Sequence, residues 1–201
     1  MGERLPIEEL RREHQALRRD IGAIRDLARS VGRSGGGARE DALTTLRDNI
    51  EMFLRGLRLH SRREEEGLFP DVQRMVSERP QRADPLGQFF AGEAEEDLNA
   101  HEVLNTRAQD MLNLVHELGQ AEALQPQSLG RLRTLAELSR DLLERHADKE
   151  DRMIFPMIER SLDADQIEQV RKRLAALGSA ADLLSSDGEA EDLRGLGAEE
   201  R

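Results

Sequence analysis

The amino-acid sequence predicts an all-α fold: an antiparallel up-down-up-down four-helix bundle with a short fifth helix and a flexible C-terminal tail. Three observations predict it. Charged residues make up 35% of the chain and aromatics 2%, with no Trp or Tyr, and the abundant Leu, Ala, Arg and Glu favour helix over sheet. Apolar residues recur at three- and four-residue steps in four long stretches, and β-branched residues nowhere form an alternating run. The stretches are separated by short Gly- and Pro-bearing segments, which return each helix beside the last.

The elements follow in order. Pro6 suits a first helical position, and Leu10, Leu17, Ile21, Ile24 and Val31 form the stripe behind it. The run Gly32 to Ala38 breaks that helix. A second helix carries Leu43, Leu46, Ile50, Phe53 and Leu57, weakening at Pro70, and the segment from Ser77 to Pro85 reads as a loop. Asp84 and Pro85 offer an N-cap and first residue for a third helix. It runs through Phe90, Ala94, Leu104, Ala108, Met111 and Val115 to about Gly119. After Pro126 and Ser128 a fourth helix presents Leu132, Leu135, Leu142 and Met153 towards Pro156. Asp163 with Gln166 has the form of a capping box for the fifth helix, ending at Gly178. The resulting organisation is a bundle over residues 1–160, a short helix over 161–178 and an acidic tail over 179–201.

Composition also excludes function classes. The formal net charge of −11 argues against nucleic acid, which needs a basic face, and against an anionic membrane surface. With no cysteine, the chain itself supplies no thiolate ligand, iron–sulfur cluster or disulfide. Any metal must be held by nitrogen and oxygen. The N-terminus lacks a signal-peptide core and no apolar run approaches membrane-spanning length, so the expected location is cytoplasmic.

The strongest local signal is a repeat. His60 and Glu64 open HSRREEEGLFP, and His146 and Glu150 open HADKEDRMIFP. Both read H-x-x-x-E-x-x-x-x-F-P, placing imidazole and carboxylate one turn apart on one helix face. Four of the five histidines continue an apolar stripe: His14 after Leu10, His60 after Leu57, His101 after Ala94 and Leu98, His146 after Leu142. With about two in seven helix positions facing a core, four would do so together roughly once in a hundred sequences. Each lies roughly 27–30 Å from its nearest helix-helix turn at the α-helical rise, so all four should share one layer with Glu64 and Glu150. Burying that set in an apolar seam requires compensation. Two divalent cations would provide it; a metal-free His–Glu hydrogen-bond network is the alternative.

In this order (His14; His60 and Glu64; His101; His146 and Glu150) the chain resembles the hemerythrin-like family, the HHE cation-binding domain, over about residues 6–160. The resemblance implies a non-haem di-iron centre inside the bundle, two iron ions joined by an oxo or hydroxo bridge. Glu64 and Glu150 would be the bridging carboxylates; helix adjacency pairs His14 with His60 and His101 with His146. Manganese and zinc are the other metals the donors would accept. The oxygen-carrying hemerythrins have two histidines a turn apart on the third helix, whereas Asp97 and Asn105 flank His101 here. Both irons would then keep an open position, suiting peroxide breakdown or nitric oxide reduction. The donor set is also similar to that of di-iron proteins that repair iron–sulfur clusters; those carry a cysteine-bearing N-terminal segment, and this sequence has no cysteine. Carboxylate-rich ferritin and ribonucleotide-reductase sites use the reversed Glu-x-x-His order, and without Tyr a tyrosyl radical is impossible.

The expected function is therefore binding or reduction of O2, peroxide or nitric oxide, in redox or nitrosative stress or in gas sensing. Non-catalytic iron or oxygen sensing, iron storage, and a metal-free helical interaction module are the competing readings; whether the protein is an enzyme stays open. Among the smaller signals, Phe69 and Phe155 would wall the site or simply pack the core. Glu65 and Glu66 read as solvated neighbours, although Glu65 could orient a ligand imidazole from behind. Glu13 and Glu102 read as surface charge, His116 as a surface residue, and the arginines around Arg11, Arg18 and Arg62 as helix-surface pairing.

Overall fold

A computed structural model describes residues 7–33, 37–77, 85–123 and 125–178. The helices are α1 (Ile7–Val31), α2 (Gly37–Arg62), α3 (Phe69–Ser77), α4 (Pro85–Gln120), α5 (Pro126–Lys149), α6 (Phe155–Ser161) and α7 (Ala164–Ala176). No strand occurs among the described residues. The fold is all-α, as expected. In the bundle α1 packs on α2 and α5, and α4 on the same two helices. Cross-helix pairs at Arg63–Glu9, His101–Glu65, His101–His146 and Arg11–Glu159 make every neighbouring pair antiparallel. Among the described residues no helix is long and apolar enough to cross a membrane.

The stripes of α1 and α2 are buried throughout, and Leu104, Ala108, Met111, Val115 and Leu132 join them. Each fully buried Leu or Ile contributes about 1.5–3 kcal/mol, which is what holds four long helices together. Helix ends are tied by specific contacts. Arg133 donates to the carbonyls of Ala28 and Arg29 at the end of α1, 3.1 and 3.2 Å, satisfying acceptors the helix leaves open. At Gly32 a Cβ would sit 2.6 Å from Arg133 Nη2 and Leu129 Cδ2, so a side chain there would have to displace the ends of both. The Asp163–Gln166 capping box forms with both hydrogen bonds at 2.9 Å, and Gly178 takes the left-handed conformation past α7, φ 84°.

The second and fourth sequence helices do not end at their prolines. Each passes through a π-helical segment, Arg63–Leu68 and Glu150–Ile154, and then continues as α3 or α6. The cause is chemical. Pro70 and Pro156 have no N–H, and their rings crowd the carbonyl four residues back. The preceding residue instead bonds five back: Phe69 N–H to the Glu64 carbonyl and Phe155 N–H to the Glu150 carbonyl. The extra residue per turn shifts the stripe. Met153 turns outward and is 39% exposed, and Leu98 is 50% exposed, so neither lies on the seam as the spacing predicts. In the middle of α5 Ala136, Ser139 and Leu143 are buried, with Leu135 and Leu142 only partly covered.

Among the described residues apolar side chains form two clusters. One fills the bundle between Val31 and Leu17 on α1. The other gathers Ile7, Leu10, Leu68, Phe69, Ile154 and Phe155 with Val170 and Leu174 of α7. The buried histidines with Glu64 and Glu150 lie between the two. The 179–201 tail, Pro6 and Asp84 lie outside the described residues, as do the side chains of Phe90, Ala94 and Asp97.

Candidate metal centre

His14, His60, His101, His146, Glu64 and Glu150 are all brought together, and none is more than 5% exposed. One histidine comes from each of α1, α2, α4 and α5, and both glutamates lie in the π segments. The imidazoles meet in pairs through Nε2: His14 with His60 at 3.1 Å and His101 with His146 at 3.1 Å. Glu64 spans the pairs, with Oε1 3.4 Å from His60 Nε2 and Oε2 3.3 Å from His101 Nε2. Glu150 does likewise through Oε2, 2.9 Å from His14 Nε2 and 3.4 Å from His146 Nε2. Two overlapping sets, His14–His60–His146–Glu150 and His60–Glu64–His101–His146, each have ligand atoms within 4.8 Å of one another. A buried His/Glu cluster of this kind fits a metal site.

The far sides of the rings are held as well. His14 Nδ1 lies 2.9 Å from Asp151, His60 Nδ1 3.1 Å from Glu13, and His101 Nδ1 3.2 Å from Glu65. An ionised carboxylate only accepts, so each Nδ1 carries a hydrogen and Nε2 is directed at the cluster. Imidazole ligands are oriented in this way around metals. Asp151 is itself paired with Arg18 at 3.4 Å, and Arg18 with Asp148 at 2.8 Å. Glu13 pairs with Arg63, which also reaches Glu9.

Charge sets the protonation of the rings. Burial pushes His14 down, but hydrogen bonds to Asp151 and Glu150 and the nearby carboxylate charge lift it to about 10. His101 is lifted against burial to about 10 by Glu64 and Glu65. Burial holds His60 well below the usual range, helped by the surrounding imidazoles and Arg63. The inward-facing atoms thus call for positive charge. Protons on His14 and His101 and a cation at the same Nε2 atoms are competing ways to supply it.

Above the rings, Phe155 stacks on His14 with centroids 5.6 Å apart and planes 7° from parallel, and the Arg11 guanidinium lies 5.8 Å from the Phe155 centroid. Phe69 and Phe155 both belong to the second apolar cluster.

The spacing predicts one layer for the inner six, and the structure brings them together; Glu65, read as a solvated neighbour able to orient an imidazole, lies 3.2 Å from His101 Nδ1. Glu13, read as surface charge, is instead buried, where it pairs with Arg63 and His60. Arg63, at 1% exposure, is among the largest buried side chains. Asp151 was also missed, although a signal existed: it follows Glu150 as Glu65 follows Glu64. Glu102 and His116 are exposed, as expected, and Asn105 donates to the His101 carbonyl at 3.0 Å.

No curated protein matches the chain. The family model for the hemerythrin HHE cation-binding domain matches residues 5–89. That segment holds His14, His60 and Glu64; the structure supplies the remaining three side chains of the cluster from α4, α5 and the second π segment. Over residues 5–89 the chain is thus similar to the hemerythrin HHE cation-binding domain.

Proposed function

We propose that the six converging side chains hold a carboxylate-bridged pair of iron ions, and that the protein uses this pair to bind or reduce O2, peroxide or nitric oxide. One observation carries the reading. Four Nε2 atoms and two carboxylates face one another in a buried layer, while the rings of His14, His60 and His101 are backed by carboxylates on their Nδ1 side. Such a layer is costly to bury unless cations sit within it.

His14 and His60 would hold one ion and His101 and His146 the other, with Glu64 and Glu150 reaching both. Nitrogen and oxygen donors in a set that leaves positions open suit iron, with manganese and zinc the competitors. When bound, the pair supplies two adjacent redox centres at which a small ligand can be held. The chain's own part is positional and electrostatic. Asp151, Glu13 and Glu65 fix the ring tautomers and raise Nε2 basicity. Phe155, Leu10 and Leu68 close the layer on one side and Leu17, Leu57 and Leu104 on the other, excluding water.

The test is metal analysis of full-length protein purified anaerobically from iron-fed cells. About two irons per chain are expected for a two-metal bundle site, falling in Glu64→Ala and His146→Ala. Protein isolated without metal and indifferent to added Fe(II) would refute the reading. Turnover of peroxide or nitric oxide then separates reduction from sensing or storage.

A further inference from the structure

Glu64 belongs to the first π segment, Arg63–Leu68, and its carbonyl accepts the five-back bond from the Phe69 N–H. Such turns are uncommon, and a ligand side chain is aimed only as well as the backbone that carries it is supported. The aim of Glu64 is narrow. Its Oε1 lies 3.4 Å from His60 Nε2 and its Oε2 3.3 Å from His101 Nε2, so a small rotation of the segment draws it away from one ring or the other.

Support comes from α7, an element outside the four-helix bundle. Arg173 Nε donates to the Gly67 carbonyl at 3.0 Å, and Arg173 Nη2 donates to the buried carboxylate of Asp71. One planar guanidinium thus grips the backbone three residues after Glu64 and a carboxylate one turn further on. Asp71 also pairs with Arg74 at 3.3 Å, but both lie on α3, so that pair ties no second helix to the segment. The apolar side of α7 closes on the same point. A Cβ on Gly67 would sit 2.5 Å from Leu174 Cδ2 and 3.4 Å from Leu177 Cδ1, and Val170 and Leu174 share a buried cluster with Leu68 and Phe69.

We propose that Arg173 is a positioning residue for the metal centre: by gripping Gly67 and Asp71 it fixes the π segment that aims Glu64, which makes α7 part of the framework of the site. The proposal rests on the metal-centre reading above. Arg173 touches no ion in this scheme; it acts through the backbone between Glu64 and Gly67.

The experiment compares full-length wild type, Arg173→Ala, Asp71→Asn and Val31→Ala, all stripped with chelator. Native-state hydrogen exchange is measured first, then Co(II) is titrated in with visible absorption and calorimetry as readouts. Val31 is buried on α1, roughly 25 Å from His14 at the helical rise, so its truncation loosens the bundle without touching α7. Arg173→Ala should weaken Co(II) binding by about 10-fold, the low end of what lost ligand support costs. It should also alter the visible spectrum of the loaded protein and speed exchange of the Phe69 amide more than that of the α1 core. Asp71→Asn keeps the shape without the charge and should move all three readouts in the same direction. Val31→Ala should lower Tm and leave affinity and spectrum alone. Circular dichroism verifies folding; if Arg173→Ala does not fold, Asp71→Asn decides. Wild-type affinity and spectrum in the folded variant, an unmoved Phe69 amide, or an equal loss of affinity in Val31→Ala overturns the proposal and leaves the metal centre standing. Wild type that takes up no Co(II) overturns the metal-centre reading and this proposal with it.

Discussion

Replacing Phe155 with alanine tests whether that ring is packing or shield. The side chain is fully buried, stacked on His14 and set among Leu10, Ile154 and Ile158. Truncating a buried Phe to Ala removes about 3–5 kcal/mol, a range that includes the cavity left behind. The ring stack is worth about 0.5–1.5 kcal/mol beyond its area; Arg11 is partly solvated and keeps its bond to Glu159 at 3.0 Å, so its share is small. A loss of about 4 kcal/mol follows. In a chain of this length each kcal/mol moves Tm by about 2–4 °C, so thermal unfolding in chelator should drop by about 8–16 °C. Phe155→Leu, which keeps most of the volume, should lose less than about 1.5 kcal/mol. The assay is circular dichroism melting with a urea midpoint as a check. A Phe155→Ala loss below about 1 kcal/mol would refute the packing argument, because no fully buried ring is that cheap to remove.

Other expectations follow from the same geometry. Gly67→Ala places a Cβ 2.5 Å from Leu174 Cδ2, in the turn whose carbonyl accepts from Arg173 at 3.0 Å; overpacking should destabilise by about 1–3 kcal/mol, and native-state hydrogen exchange should rise in α7 first. Glu150→Ala should lower bound metal and abolish metal-dependent stabilisation, read as a Tm that no longer responds to added Fe(II). For chelator-treated protein, His14 and His101 are raised in the folded state to about 10 from 6.5. Their stabilisation is therefore complete below about 6.5 and lost as the pH rises through about 10. His60 is depressed and acts oppositely, weakening the fold as pH falls below its unfolded value. Urea midpoints should accordingly fall between neutral and alkaline pH; a flat profile there would contradict the assigned partners. Metal uptake should release protons over the same window.

The stripes of α1 and α2, the shared depth of the four histidines and the capping box at Asp163 were all legible, because each depends on local spacing at a constant angle per residue. What escaped depends on a change in that angle. A π segment adds a residue per turn, so Met153, three residues after Glu150, faces solvent, which a regular helical wheel does not register. The cause was nevertheless written in the sequence: Phe-Pro stands at the same offset in both repeats, and a proline there forbids the ordinary bond. Glu13 is a second kind of miss. Its burial is decided by a partner nearly fifty positions away, which no local pattern contains. Leu98 shows the limit of stripe counting, since it stands three residues before the buried His101 and is nonetheless 50% exposed.

The doubled layout has a consequence for assembly. Each helical hairpin, α1 with α2 and α4 with α5, contributes two imidazoles and one carboxylate, so neither owns a complete cage. The donors become a set only when the hairpins dock, and a cation held among them would act as a rivet across the joint rather than a guest within one side. Pulling the hairpins apart would then release the ion.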